Sequence, residues 1–401
     1  MRTTGRCMAN DNTALRYDRT AANGGQAGDA ARVASHPSCG NLGKTRIIGN
    51  IMTAYFTRPT SLFFFTLLLC LPHLSRAASH ERDVQCVDVV NRGVFNVLTI
   101  NILFSDIETR NTRLDRIAQF VKSQFEAANP VDVILLQEAA GGILVKTENS
   151  AEDFTNILNT HYGLNYSLRM AYSNGVPGLL AVFNATLSRC EVTTSLWTLL
   201  PPATEIEFQG YTIPLTRSVL MTRLEVPGVG TIEVYNTHLC ANCRSSERLE
   251  QAQRLLRFLH NVETLFPGQN PMVLGGDFNT NLAHADQEEA ALYQFITADS
   301  QFPFQDSYAV ANSVGNPSSP VSCIRRDDGG IEFPEGCTVD VSEIRDPLRG
   351  ALEPARIDYI FVNGVSGIVQ SRVVFTPFNP TASERVSVSD HSAVLTSIRL
   401  P

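Results

Sequence analysis

The sequence predicts an α/β domain, on three observations. Apolar runs of strand length recur between residues 94 and 398, among them 94–102 and 131–136. Stretches with apolar residues at helical spacing fall between them, as in 112–128. Polar residues suited to cations or phosphate follow the runs closely, where strands of α/β sheets commonly deliver functional side chains.

The chain has 401 residues, 43% hydrophobic and 18% charged, ample for a core. Residues 1–57 differ from the rest. They are rich in Arg, Asn, Gly, Ala and Thr, lack an apolar period, and read as disordered or as a non-native extension. Residues 58–79 read as a secretory signal peptide: Arg58, the apolar run 62–71, then Ala77, Ala78 and Ser79. Because such a segment begins near its start codon, translation is expected to begin at Met52. Residues 1–77 hold nine Lys/Arg and three Asp/Glu, leaving 23 basic and 37 acidic residues and a net charge of −14 on the remainder. That balance lacks the footprint of a general nucleic-acid binder, although action on phosphates through a bound cation stays open.

Six cysteines follow the signal segment, an even set that in a secreted chain reads as disulfides. Spacing favours Cys323–Cys337 and Cys240–Cys243, leaving Cys86–Cys190. Zinc at the Cys240-x-x-Cys243 pair is the weaker reading, since no second pair has zinc-finger spacing. Asn165 and Asn184 head glycosylation sequons.

From residue 90 to 401 the sequence reads as one domain. The strand at 94–102 carries Asn101, either a satisfied core amide or a site residue. A helix follows at 112–128. The buried strand at 131–136 leads into Gln137-Glu138, where Glu138 is either a ligand for a hard cation such as Mg²⁺ or Ca²⁺ or a capping or surface acid. Residues 150–161 read as a helix and 178–184 as a strand. Strands at 219–226 and 231–237 form a hairpin around Pro227-Gly228-Val229-Gly230 and end at His238. That histidine reads as structural, a phosphate donor or a general acid. Ser245 or Ser246 caps a helix carrying Leu249, Ala252, Leu256 and Leu259.

The stretch 272–281, M-V-L-G-G-D-F-N-T-N, organises the rest. Its apolar residues read as a strand and its glycines as a tight turn. Asp277 and Asn279, two apart, point to one side of extended backbone. A helix is expected near 287–297. Residues 311–350 read as a long surface insertion tied by a disulfide. The strand at 356–362 buries Asp358, an acid that needs a partner. A last strand at 386–398 holds Ser389-Asp390-His391. Phe302, Phe304 and Tyr308 are lipid-contact candidates but read better as core, and no strongly apolar exposed hairpin stands out.

The ordered set Asn101, Gln137-Glu138, Asn236-Thr237-His238, Gly276-Asp277-Phe278-Asn279, Asp358-Tyr359 and Ser389-Asp390-His391 resembles the endonuclease/exonuclease/phosphatase superfamily, with its deoxyribonuclease I-like fold, over roughly residues 92–400. The resemblance implies an α/β four-layer sandwich, two packed mixed β-sheets flanked by helices. It implies a divalent metal, Mg²⁺ or else Mn²⁺ or Ca²⁺, held by Glu138 with Asn101 and Asp390. In the family pattern Asp277 and Asn279 position water and phosphate. His391, paired with Asp358, is general base or phosphate-stabilising cation. His238 binds phosphoryl oxygens or protonates the leaving group.

The expected activity is a secreted, metal-dependent phosphodiesterase acting on a phosphate ester, either a phospholipid headgroup, as in the sphingomyelinase-like branch, or nucleic acid. Peripheral membrane contact is an open partner class, and no obligate protein partner is evident. The alternatives are a catalytically inactive binding protein on the same scaffold and a phosphomonoesterase.

Overall fold

The structure, a computed structural model, describes residues 86–401 except 106–108, 209–210, 242, 281–286, 313–322, 326–330, 333, 340–341, 345–353 and 379–383. The expected signal segment and residues 1–57 lie outside the described residues. In chain order the elements are α1 (Asp88–Arg92), β1 (Phe95–Asn101), α2 (Arg110–Glu126), β2 (Val133–Gly141), α3 (Ser150–Asn156), β3 (Ser167–Val176), β4 (Leu180–Ser188), β5 (Glu191–Phe208), β6 (Tyr211–Val226), β7 (Gly230–His238), α4 (Ser245–Leu265), β8 (Met272–Asp277), α5 (Gln287–Thr297), β9 (Gln305–Asp306), α6 (Ser307–Ala311), β10 (Ile324–Arg325), β11 (Ile331–Glu332), β12 (Asp358–Asn363), β13 (Gly367–Val374) and β14 (Ala393–Arg399).

Two six-stranded mixed sheets form the domain, ordered β13-β14-β1-β2-β4-β3 and β5-β6-β7-β8-β12-β9. Their inner faces share one apolar cluster, with Val97, Val133 and Leu135 from the first sheet and Val234, Val273 and Ile360 from the second. On the outer face of the first sheet, Leu114, Ile117 and Val121 of α2 and Phe154 of α3 join Leu98, Ile134 and Leu136. On the outer face of the second, Leu255, Leu256 and Leu259 of α4 and Ile296 of α5 join Tyr235, Leu274 and Phe361. The result is the four-layer sandwich, helix on sheet on sheet on helix.

Several expectations are corrected. Gly275 and Gly276 lie inside β8 rather than in a turn. Gly276 has φ +143°, and a Cβ there would stand 1.9 Å from the carbonyl oxygen of Thr237 on the neighbouring strand, so glycine is required by close strand approach. The last strand begins at Ala393, which leaves Asp390 and His391 in the loop before it. The 311–350 segment is not wholly surface. Cys323, Cys337, Thr338, Val339, Ser342 and Ile344 are buried.

Cys86–Cys190 and Cys323–Cys337 are disulfides, as spacing indicated. Cys240 and Cys243 are not joined; the Cys243 thiol lies 3.3 Å from the Cys240 carbonyl oxygen. Asn165 is exposed, but Asn184 is buried on β4 and its amide donates to the Ser218 carbonyl, so that sequon is closed to modification. Phe302, Phe304 and Tyr308 are core residues.

A buried ion pair anchors the start of β12. Both guanidinium nitrogens of Arg356 donate to the Asp306 carboxylate, at 3.0 and 2.8 Å, and the guanidinium packs on the rings of Tyr308 and Tyr359. Arg356→Ala leaves the Asp306 carboxylate without this partner, and we expect a loss of about 3–5 kcal/mol in urea unfolding. A loss below about 1 kcal/mol would show that the pair does not hold the strand.

Candidate active site

Strand register assembles the site. β7 runs parallel to β8 with His238 level with Asp277, and β12 runs antiparallel to β8 with Asp358 level with Asp277. Three neighbouring strands therefore place His238, Asp277 and Asp358 in one row. The first sheet contributes Asn101, the last residue of β1, beside Gln137 of the parallel β2.

Glu138 follows in a bulge, where the β2–β4 register shifts between Leu136 and Ala139. Its φ of 57° is unusual for a residue with a side chain. Bulges next to active sites re-aim a side chain, and here the carboxylate meets the second sheet through one amide. Asn101 Nδ2 donates to Glu138 Oε1 and to Asp277 Oδ2, each at 3.1 Å. The backbone N–H of Phe104 donates to Glu138 Oε2 at 3.2 Å. Behind these residues Gln137 Nε2 donates to Asn236 Oδ1 at 2.8 Å, a second polar tie between sheets.

Asp277 is fully buried. Its Oδ1 accepts from the Asn279 backbone N–H at 2.9 Å, and its Oδ2 lies 3.5 Å from His238 Nε2 and 3.8 Å from His391 Nε2. Asn279 has φ 49°, and its side-chain amide donates to the Leu239 carbonyl. His391 Nδ1 lies 2.9 Å from Asp358 Oδ2. Asp390 is buried and accepts from the Ser389 hydroxyl at 3.1 Å. The expected site residues are buried, Asn279 partly so, and come from the strand ends at Asn101, His238, Asp277 and Asp358, the β2 bulge at Glu138 and the loop before β14. Direct contacts link Asn101, Glu138, Asp277, His238, His391 and Asp358; Asp390 is joined through its proximity to His391 in sequence and charge.

The sequence reading missed Thr338. Its hydroxyl accepts from the backbone N–H groups of Ile357 and Asp358, at 3.0 and 3.2 Å, and its carbonyl accepts from Ser392 N–H at 2.7 Å. Val339 bridges to His391 and Ala355. This segment, next to the Cys323–Cys337 bond, clamps the aspartate and histidine against each other. Neither spacing nor residue type marks a lone threonine in a Gly- and Pro-rich stretch for that task.

Electrostatics set the chemistry. Burial alone would lower the His391 pKa, but the charges of Asp358, Asp277 and Asp390 outweigh it and push it up to about 10. Since the folded value exceeds the ordinary ~6.5, the stabilisation is complete below that pH and is lost as pH rises through about 10. Without added metal, wild-type stability should therefore fall more steeply than that of His391→Gln across this alkaline window. Parallel curves in denaturant titrations at several pH values would contradict it.

The donor set fits a divalent cation. Four buried carboxylates, Glu138, Asp277, Asp358 and Asp390, belong to this set with two imidazoles, of which His391 faces Asp277 and Asp358 and His238 faces Asp277. Even with both rings protonated, this set keeps two excess negative charges, and oxygen donors suit a hard cation. One ligand atom each from Asp277, Asp358 and His391 also lies within 4.8 Å of the others. That trio differs from the expected set of Asn101, Glu138 and Asp390. His391 already faces two aspartates, so the carboxylate of Glu138 is the better oxygen site; Asn101 turns Nδ2 toward it, while its Oδ1 accepts from the Leu103 N–H at 3.0 Å.

A two-sheet sandwich with acid, amide and imidazole groups converging on one end defines a phosphoester hydrolase of the nuclease and phosphatase type. The sequence matches the Endonuclease/Exonuclease/phosphatase family over residues 98–391, and the chain belongs to that family. Enzymes of this family generally use divalent metals. Among solved structures, an endonuclease/exonuclease/phosphatase family protein from Leptotrichia buccalis C-1013-b is 21% identical, with a TM-score of 0.52 over 76% of this chain and 99% of that one. A counterpart from Bacteroides vulgatus is 19% identical, with a TM-score of 0.51 over 77% and 99%. Both likenesses are of fold. No curated protein matches this chain in sequence.

Proposed function

We infer that this protein is a secreted, divalent-metal-dependent phosphodiesterase. The observation that carries the reading is the chain of contacts from Glu138 through Asn101 to Asp277, ending at the His391–Asp358 pair. It supports the reading because a carboxylate suited to a cation, a second carboxylate that could position water and an imidazole held by an aspartate are linked in one cluster. Glu138 would hold the cation with Asn101 beside it, and Asp390, whose charge acts on His391, is the third expected ligand. When bound, that cation neutralises charge on the phosphoryl oxygens.

The remaining work falls to the side chains. His391 Nδ1 lies 2.9 Å from Asp358 and Nε2 3.8 Å from Asp277, and these carboxylates favour the protonated ring, which acts as a fixed cation toward phosphate. Asp277 is then the group that orients the water and takes its proton. The water oxygen bonds to phosphorus as the bond to the leaving oxygen breaks, and His238, 3.5 Å from Asp277, supplies that oxygen with a proton. Asn279 turns its amide from the Leu239 carbonyl to a phosphoryl oxygen.

Secretion is supported by the signal segment and agrees with two disulfides in the domain. The test is hydrolysis of plasmid DNA, RNA, sphingomyelin liposomes and the soluble ester bis(p-nitrophenyl) phosphate, with Mg²⁺ and with EDTA. EDTA-sensitive turnover of any of them supports the reading. Metal binding without turnover of any would favour a binding protein on this scaffold, and turnover of phosphomonoesters alone would make the enzyme a phosphatase.

A further inference from the structure

We propose that the end of the domain beside Glu138 docks on a zwitterionic phospholipid surface, so that the phosphodiester reaching the site is a lipid headgroup. This rests on the phosphodiesterase reading and deepens it. β1 and β2 run parallel, and β1 stops at Asn101, level with Gln137. β2 continues beyond it through Glu138 to Gly141, paired with β4, so the β2 loop and the β3–β4 turn project from the end that holds the site. From Glu138 to Gly141 is roughly 10 Å of strand.

The residues at that projecting edge are apolar and face solvent. Ile143 is 79% exposed, and Leu144, Val176 and Leu179 are exposed beside it. The patch is no single strongly apolar hairpin, in keeping with the sequence, but is assembled from the loop after β2 and the β3–β4 turn. The signal was hidden because the patch comes from two loops, each too short to stand out. Nor are they loose. Ile143 N–H donates to the Gly178 carbonyl and Leu144 N–H to the Leu179 carbonyl, at 3.1 and 3.0 Å. A Cβ on Gly142, φ +126°, would come 2.5 Å from the Leu179 oxygen, so glycine permits this backbone contact. Arg110 of α2 fastens the first loop from behind through the Val145 carbonyl, at 2.8 Å. Two loops bonded together this way hold their apolar side chains outward against the hydrophobic effect, a cost that contact with an apolar phase removes.

Between the loops lies a cleft of about 670 Å³, lined by Ile143, Pro177, Ala181 and Phe183 together with Lys146 and Glu148. Lys146 and Glu148, one of each sign, are both exposed there. A groove for a polynucleotide would carry a surplus of cations. A balanced pair beside apolar tips matches the paired charges of a zwitterionic headgroup and the acyl region beneath it, and the net −14 of residues 78–401 opposes polyanions further.

The test compares the full chain with the double variant Ile143→Asp/Leu179→Asp and with Trp197→Asp. Trp197 is an exposed tryptophan on β5, at the edge of the other sheet. Co-sedimentation with sphingomyelin–phosphatidylcholine vesicles in EDTA reads docking without catalysis. Phosphocholine release from the same vesicles with Mg²⁺ reads lipid turnover, and bis(p-nitrophenyl) phosphate reads the site alone. The double variant should lose at least about tenfold in bound fraction and in phosphocholine release, keep soluble-ester turnover within about twofold, and differ from Trp197→Asp, which should behave as wild type. Wild-type protein that stays in solution, a double variant that sediments like wild type, or plasmid DNA cleaved while vesicles are ignored would overturn the proposal. Vesicle binding that needs Ile143 and Leu179, with no ester turned over, would support the surface and overturn the phosphodiesterase reading instead.

Discussion

Glu138→Gln should cost about 10³-fold or more in kcat and, in EDTA, leave the protein as stable as wild type or more so. The first effect follows from losing the charged oxygen donor of the cation site, whose chemistry is worth several kcal/mol of barrier. The second follows from burial. Glu138 is 5% exposed, with Asp277 joined to it through Asn101. Without a cation these acids repel one another, and a neutral amide keeps the Asn101 and Phe104 geometry while removing one charge. Wild-type melting temperature should rise with Mg²⁺, as ligand binding to the native state requires, and the variant's should rise little or not at all. A variant with wild-type turnover, or with an undiminished Mg²⁺ shift, would remove Glu138 from the cation site.

His391→Gln should lower kcat by about 10²–10³-fold, the loss typical when one preorganised donor to a developing charge is removed. Glutamine can still donate to Asp358, which is fully buried, so the fold should survive. His391→Ala would leave that carboxylate without its imidazole and is expected to destabilise by about 3–5 kcal/mol as well. The comparison separates the two roles of the ring. If glutamine restores stability but not rate, the charge on the imidazole acts on phosphate. If it restores both, His391 serves only to hold Asp358.

Several elements could be read from periodicity, because strands such as β1, β8 and β12 bury nearly every residue and carry apolar runs, whereas the four-layer sandwich itself was implied by the family resemblance. Residues 287–297 form the helix expected there, and the 219–226 and 231–237 hairpin is present within β6 and β7. The long strand β5 was not anticipated. It is an edge strand, and Pro201 and Pro202 fall where its register with β6 shifts, so its sequence lacks a continuous strand pattern. The candidate residues stood out because acids, amides and histidines follow apolar, strand-length runs in the sequence. What joins them did not. No local pattern shows that Asn101 bridges acids from two sheets, that a bulge turns Glu138, or that Thr338 supports Asp358 across 20 residues of chain. The Cys240–Cys243 pairing failed for a similar reason: short spacing permits a bond without requiring one, and here the Cys243 sulfur turns toward a carbonyl.

The central claim is tested most directly by bis(p-nitrophenyl) phosphate hydrolysis measured across an Mg²⁺ titration for wild type and Glu138→Gln side by side, beginning from EDTA-treated protein. Wild-type turnover should start at background and rise to saturation, and the variant should stay near background throughout. Wild-type hydrolysis indifferent to EDTA, or equal Mg²⁺ dependence in the two proteins, would contradict a divalent-metal phosphodiesterase whose cation is held by Glu138.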